Sequence, residues 1–394
     1  MCDAVGDNKE KILILANNDV GLYKFRKELI QELLCPRNIV NGRSGKGAEV
    51  FIALPNGEFV EPLVQMGCHF IETPIDRRGK NPIEDIHLFR QYQKIIKDIE
   101  PEKVITYTIK PNIYGCIACR LKGITYYVNI TGLGTAFQKK SFLQTMVTKL
   151  YQIALKKARK VFFENSGNRE VFEKKKIVKP NQSILLNGAG VNLCDYPYIE
   201  YPKERQLIRF LFIGRVMREK GVGELIQAME RLHAEQYPVY LEVVGPCEED
   251  YVSIMKQKEQ EGWLTYHGYR KYVQPFIEAC HCFVLPSWHE GMANTNLESA
   301  AMGRPVITTD IPGCREAVVE HKSGLLCEAG NCDSLYRTMR QFVELAYEEK
   351  MNMGIEGRKH MELVFDRTRV VEKTIENIYS CAGSVKPIRK MYCL

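Results

Sequence analysis

Two short segments of this 394-residue chain combine charged groups and glycines at spacings that could grip an anion. The first is Gly214-Arg215-Val216-Met217-Arg218-Glu219-Lys220-Gly221, which leaves the β-rich run IRFLFIG and enters the helical stretch VGELIQAMERL. Its terminal glycines let the backbone turn tightly, and Lys220 falls beside a helix N-terminus, where negative charge is favoured. Arg215 offers a fork of donors and Lys220 a point charge, a pair suited to a diphosphate. Taken alone, the loop reads equally as a strand–helix turn carrying surface cations. The second segment is Glu290-Gly291-Met292-Ala293-Asn294-Thr295-Asn296-Leu297-Glu298, set between the apolar run CFVLPS and the helical NLESAAM. The spacing predicts Glu290 in a loop at a strand's carboxyl end and Glu298 about one turn into the next helix. The N–H groups of Asn294 and Thr295 would then be open to a phosphate. A carboxylate on each side of that turn suits sugar hydroxyls at one end and ribose hydroxyls at the other. The plainer alternative is that Glu298 only complements the helix dipole.

Other chemistries fit less well. A pair of carboxylates raises glycoside hydrolysis, where two acids flank the scissile bond about 5–10 Å apart. Glu298, on a helix beside a phosphate-ready turn, reads as a binder instead. Gly42-Arg43-Ser44-Gly45-Lys46-Gly47 has the wrong spacing for a phosphate loop and precedes a strand. The first strand ends in Ala16-Asn17-Asn18-Asp19-Val20-Gly21, so no GxGxxG supports a dinucleotide enzyme. Cys116 and Cys119 form a CxxC, and Cys280-His281-Cys282 resembles half a metal site. Neither has a second cluster to bring it to about four ligands, so both read as structural. No Asp-x-Asp follows a strand end, and no metal or cofactor is expected.

The loop with Arg215 and Lys220, the Glu290-x7-Glu298 pattern and the following AMGRPVITTDIPGCREAV together resemble the retaining family 4 glycosyltransferases of GT-B fold. The likeness covers essentially the whole C-terminal half. VGLYKFRKEL (20–29), KPNIYGCIACRLKGI (110–124) and NITGLGTAF (129–137) resemble a subgroup that assembles bacterial surface and capsular polysaccharides. The resemblance gives Arg215, Lys220 and Glu290 the catalytic work: the first two hold the donor diphosphate, and Glu290 takes the transferred sugar's hydroxyls. Gly214, Gly291, Met292, Asn294 and Thr295 line the donor, Glu298 takes the ribose, and Tyr269 and Arg270 fall where the family holds the base. Gly21 belongs to the first-domain loop facing the diphosphate, while Tyr23, Arg26 and Thr131 are acceptor-side candidates. Many members place a histidine after the first domain's fifth strand. Here that stretch reads Asn129-Ile130-Thr131-Gly132-Leu133-Gly134, and another contact must replace it.

The elements that must position these groups follow from periodicity. Strand-like runs at 11–17, 49–55, 69–75, 103–108, 125–130, 160–165 and 183–188 alternate with helical patterns. The theme repeats at 208–214, 239–245, 264–268, 282–287, 305–310 and 324–328. Most of these runs are apolar on both faces, as strands covered by helices on two sides should be. The expected architecture is α/β: two doubly wound Rossmann-like domains facing a cleft, an acceptor-side domain over 1–195 and a nucleotide-sugar domain over 206–375. DYPYIEYPKER (195–205) is a linker by composition. Residues 376–394 form a helix end and basic tail that could pack back on the first domain.

Apolar content of 45% and charged content of 26% are those of a globular protein. No apolar run approaches the roughly 20 residues needed to span a bilayer. The acidic, polar N-terminus does not read as a signal peptide, so a cytoplasmic location is expected. The net charge of +7 is uneven, with 30 Lys/Arg against 21 Asp/Glu in residues 1–200 and 25 against 27 thereafter. No acid lies between Glu102 and Glu164, while eleven Lys/Arg do. The stretch ends in KKSFLQTMVTKLYQIALKKARK (139–160), an amphipathic pattern that suits an anionic membrane surface as well as a merely solvated face. The expected partners are a nucleotide-sugar donor, most simply UDP-linked, and a lipid-linked glycan acceptor, with no nucleic acid. Two rival readings are a nucleotide-sugar epimerase of the same architecture and a catalytically silent nucleotide-sugar-binding partner.

Overall fold

The structure is a computed structural model that describes residues 9–36, 47–76, 81–134, 137, 142–203, 207–248 and 251–380. The loop 42–46, Lys139 and Lys140, the linker positions 204–205 and the tail from 381 lie outside the described residues. Among the described residues thirteen strands form, at the thirteen expected places. The first seven are β1 Lys11–Leu15, β2 Glu49–Leu54, β3 His69–Glu72, β4 Lys103–Tyr107, β5 Thr125–Ile130, β6 Lys160–Phe163 and β7 Ser183–Leu185. All run parallel in one sheet of order β3-β2-β1-β4-β5-β6-β7. The remaining six are β8 Ile208–Ile213, β9 Val239–Val244, β10 Leu264–Tyr266, β11 Cys282–Leu285, β12 Val306–Thr309 and β13 Gly324–Cys327. They build a second parallel sheet of order β10-β9-β8-β11-β12-β13.

Helices cover both sheets on two faces, which is why the central strands are mainly apolar and charged side chains gather at strand ends and on the edge strand β3. One face of the first sheet packs Leu88, Tyr92, Ile113, Tyr151 and Phe172 from its helices. Its other face packs Leu22, Leu29, Ile30 and Leu33 of helix Asp19–Leu34. That second core also contains Val370, Ile375, Ile378 and Tyr379 of the last helix, Arg367–Tyr379. The chain therefore returns to the first domain after completing the second sheet. Its core-facing positions 370, 375, 378 and 379 span the whole helix, and a division at 375/376 would cut through it. Tyr127 reinforces the return by donating its hydroxyl to the Ile378 carbonyl at 2.7 Å.

Strand order reverses between β1 and β4 in the first sheet and between β8 and β11 in the second. Loops leaving neighbouring strands at such a switch point diverge to opposite faces and leave a crevice at the strands' carboxyl ends. The two crevices face each other across one cleft.

Candidate active site

The cleft is a cavity of about 610 Å³, within the range of small-molecule sites. Loops from both switch points line it: Asn18 and Gly21 after β1, Tyr107 and Thr108 at the end of β4, Gly214 and Arg215 after β8, and Glu290 to Thr295 after β11. Of the residues singled out above, Gly21, Arg26, Thr131, Gly214, Arg215, Lys220, Tyr269, Arg270, Glu290, Gly291, Met292, Asn294, Thr295 and Glu298 all line the cleft. Tyr23 does not. Its ring stacks on Phe59 at 5.0 Å, and Lys24, the next residue along the helix, faces the cleft instead.

Lys220 ends a single 3₁₀ turn, Arg218–Lys220, and Gly221 follows with φ 70°. At that dihedral a side chain would strain the backbone, and a Cβ would overlap the Pro286 carbonyl. The loops after β8 and β11 are thereby pressed together, and Trp288 N donates to Glu219 O at 2.9 Å. The Lys220 ammonium bonds Glu290 Oε1, and Ser287 Oγ donates to that same oxygen at 2.7 Å. Arg215 meanwhile pairs with Glu248 at 2.9 Å in the loop after β9. Helix Asn294–Ala301 points its N-terminus into the cleft. The Asn294 N–H is taken by the Met292 carbonyl at 3.0 Å, whereas among the described residues no hydrogen bond engages the Thr295 N–H.

Glu298 is 8% exposed, and burial pushes its carboxyl up to about 7, against the lowering influence of Arg367, Lys24 and the Tyr196 hydroxyl. A carboxylate this desolvated gains most from ligand hydroxyls that restore its hydrogen bonds.

Beside Arg26 and Thr131, the first domain supplies Glu164, Asn165 and Thr108, which sequence patterns do not mark. Arg26 pairs with Glu164 at the carboxyl end of β6, both buried, and the guanidinium lies 5.1 Å from the Tyr107 ring centre. Asn165 crosses the cleft, donating to the carbonyls of Gly291 and, at 3.4 Å, Glu290. The Thr131 carbonyl sits so close to Gly291 that a Cβ there would overlap it. Where many family members present a histidine, backbone therefore meets the Glu290 loop. Thr108, beside these groups, is a β-branched residue held at φ 71°, a conformation seldom kept outside functional sites.

The cysteine motifs belong to the core. Cys116 and Cys280 are buried with thiols pushed up to about 12, and His281 accepts through Nδ1 from the Arg209 N–H at 3.0 Å.

Two family models match the chain: "Glycosyl transferase 4-like" over residues 11–165 and "Glycosyl transferases group 1" over 208–344. The chain belongs to the family 4 glycosyltransferases of GT-B fold. A Campylobacter jejuni relative, N,N'-diacetylbacillosaminyl-diphospho-undecaprenol alpha-1,3-N-acetylgalactosaminyltransferase, is 24% identical over 88% of this chain and 92% of its own. An Escherichia coli relative, UDP-Gal:alpha-D-GlcNAc-diphosphoundecaprenol alpha-1,3-galactosyltransferase, is 25% identical over 66% of this chain and 71% of its own. Among solved structures, Anabaena HepE in complex with UDP and glucose superposes with a TM-score of 0.74 at 16% identity, covering 94% of this chain and 99% of HepE. This glycosyltransferase thus carries its cations, its two acids and its helix N-terminus around one interdomain cleft.

Proposed function

We propose that this glycosyltransferase moves a hexosyl or N-acetylhexosaminyl group from a UDP-linked donor to a diphospho-lipid-linked glycan, with retention at the anomeric carbon. The observation that carries the reading is the contact between Lys220 and Glu290. A cation made for phosphate and an acid made for sugar hydroxyls meet at one point, and a sugar–diphosphate bond is the ligand that needs both there. On donor binding the ammonium turns to the β-phosphate and Glu290 to the sugar, each exchanging a protein partner for a substrate one. Charge then develops on the departing diphosphate, and each preorganised donor aimed at it lowers the barrier by roughly 3–4 kcal/mol. Retention follows family precedent, with attack on the face the diphosphate leaves and the acceptor's proton passing to that phosphate.

Thr295 N–H and Glu298 supply the remaining donor contacts, to phosphate and ribose. The lipid-linked acceptor is supported by the names of the Campylobacter and Escherichia relatives. Among the described residues no helix is long and apolar enough to cross a membrane.

The test is a thermal-shift screen of UDP-, GDP- and ADP-sugars, since a ligand at about 100 times its Kd adds about 2.7 kcal/mol of stability. Stabilisation by UDP-sugars, and UDP release that depends on a prenyl-diphospho-sugar, is the expected result. Stabilisation by GDP- or ADP-sugars alone overturns the UDP assignment. An altered UDP-sugar appearing without acceptor identifies an epimerase instead.

A further inference from the structure

We infer that Glu164 is an acceptor-binding residue whose carboxylate, oriented by Arg26, accepts a hydrogen bond from a hydroxyl of the acceptor sugar where that sugar meets the donor. The inference rests on the transfer reading above and names the side chain that would hold the incoming sugar.

Glu164 directly follows β6, is 7% exposed, and still lines the cleft. Its Oε1 is committed to Arg26 Nη2, a donor equally buried and steadied by the Tyr107 ring. Among the described residues no hydrogen bond engages Oε2, and that oxygen is not sealed from solvent. A largely desolvated carboxylate with one oxygen fixed and the other open to a cavity is arranged to receive a donor from a ligand. Burial, the larger influence, raises its carboxyl above the ordinary carboxylate range, and the Arg26 guanidinium opposes that rise.

Position along the cleft identifies the ligand. The adjacent Asn165 caps helix Ser166–Lys174 through Oδ1, and its amide clasps the carbonyls of Glu290 and Gly291. Neighbouring Cα atoms are about 3.8 Å apart. Glu164 therefore stands at the Glu290 end of the cleft, where the transferred sugar ends, and not beside Glu298. A carboxylate repels a diphosphate, and Arg26 is already neutralised, so this floor offers an acceptor of hydrogen bonds to a neutral polyol. On this reading Arg26 holds Glu164 in place, and the acceptor's phosphates lie elsewhere.

The experiment compares wild type, Glu164→Gln and the uncharged double variant Arg26→Gln/Glu164→Gln. UDP binding is measured by calorimetry, and transfer with a panel of short-chain prenyl-diphospho-hexosamines. Both variants should raise the acceptor KM roughly tenfold or more, the loss expected when a charge-assisted hydrogen bond becomes a neutral one. UDP affinity should stay within about twofold, because nothing on the donor side has changed. The double variant leaves no buried unpaired charge and keeps the test valid if the single one unfolds. An unchanged acceptor KM in either folded variant overturns the assignment, as does a parallel loss of UDP affinity in both. A wild-type enzyme that binds UDP but transfers to none of the panel overturns the transfer reading, and the role of Glu164 with it.

Discussion

At the scale of residues, the two cations of the β8 loop are not equivalent. Arg215 is 46% exposed and pairs with Glu248, whereas Lys220, at 17%, neutralises Glu290, at 11%. Replacing either with Ala should lower turnover by roughly 10²–10³, the loss typical of one charge-stabilising donor. Only Lys220→Ala should also lower Tm, because it leaves a nearly buried carboxylate without its counter-ion. Steady-state rates and thermal melts check this together, and equal melts for both variants would contradict it. Glu298 gives a pH prediction. Burial raises its carboxyl from 4.5 to about 7, so its contribution to stability is complete below 4.5 and is lost as pH rises through about 7. Ribose hydroxyls favour the ionised form, so UDP binding should expel a proton and tighten between about pH 5 and 7. Calorimetry in buffers of different ionisation heat measures that proton. Glu298→Gln should bind UDP more weakly and lose the part of the pH slope that belongs to this acid.

Among the elements, helix Phe142–Leu155 separates two readings that its sequence leaves joined. Val147, Tyr151, Ala154 and Leu155 are buried, and Leu143 and Leu150 pack against the same core. Phe142, Met146 and Ile153 remain exposed, Phe142 at 86%, beside the exposed Lys149, Lys156 and Lys157. The surface offered to a membrane is therefore narrower than the apolar content of 139–160 suggests. Anionic vesicles should bind the enzyme in a salt-sensitive way. Each of Lys149, Lys156 and Lys157 changed to Gln should weaken partition by about 1 kcal/mol, or about fivefold. Co-sedimentation that is as strong on neutral vesicles would leave this helix a solvated face.

For the whole molecule, the decisive geometry is the closeness of the domains at Gly291. Asn165 and the Thr131 carbonyl touch the loop that carries Glu290, and no Cβ fits between Gly291 and Thr131. Gly291→Ala should hold the cleft partly open. Transfer should then fall steeply, by the order of 10² expected for a misplacement of about 1 Å, while UDP still binds the second domain. Small-angle scattering should show a larger radius of gyration, and an unchanged radius with full activity would refute it. Closure depends as well on the chain's return through Arg367. This residue donates to the Lys24 carbonyl, to Glu28 and to the Gly190 carbonyl, tying helix, crossover and first domain together.

Periodicity and composition alone located the thirteen strands, because strands covered on both faces are short, mainly apolar runs and few other segments are. They marked the two candidate donor loops too, since a turn and a helix end that could hold a phosphate are local in the chain: Gly214 to Gly221 and Glu290 to Glu298 each lie in one stretch, and both reach the cleft. What only the tertiary structure decided is whatever depends on contacts between distant residues. Glu164 has no motif around it and gains meaning only when Arg26, 138 positions earlier, is folded against it. Tyr23 and Lys24 differ by one step of about 100° around a helix, and packing against Phe59 chose which of them faces the cleft. The last helix reads as amphipathic in sequence, but the sheet that receives it is set by the path of the chain between the domains. The histidine's absence is visible in sequence, whereas the approach of the Thr131 carbonyl to Gly291 is not, because a carbonyl belongs to every residue and only the fold singles this one out.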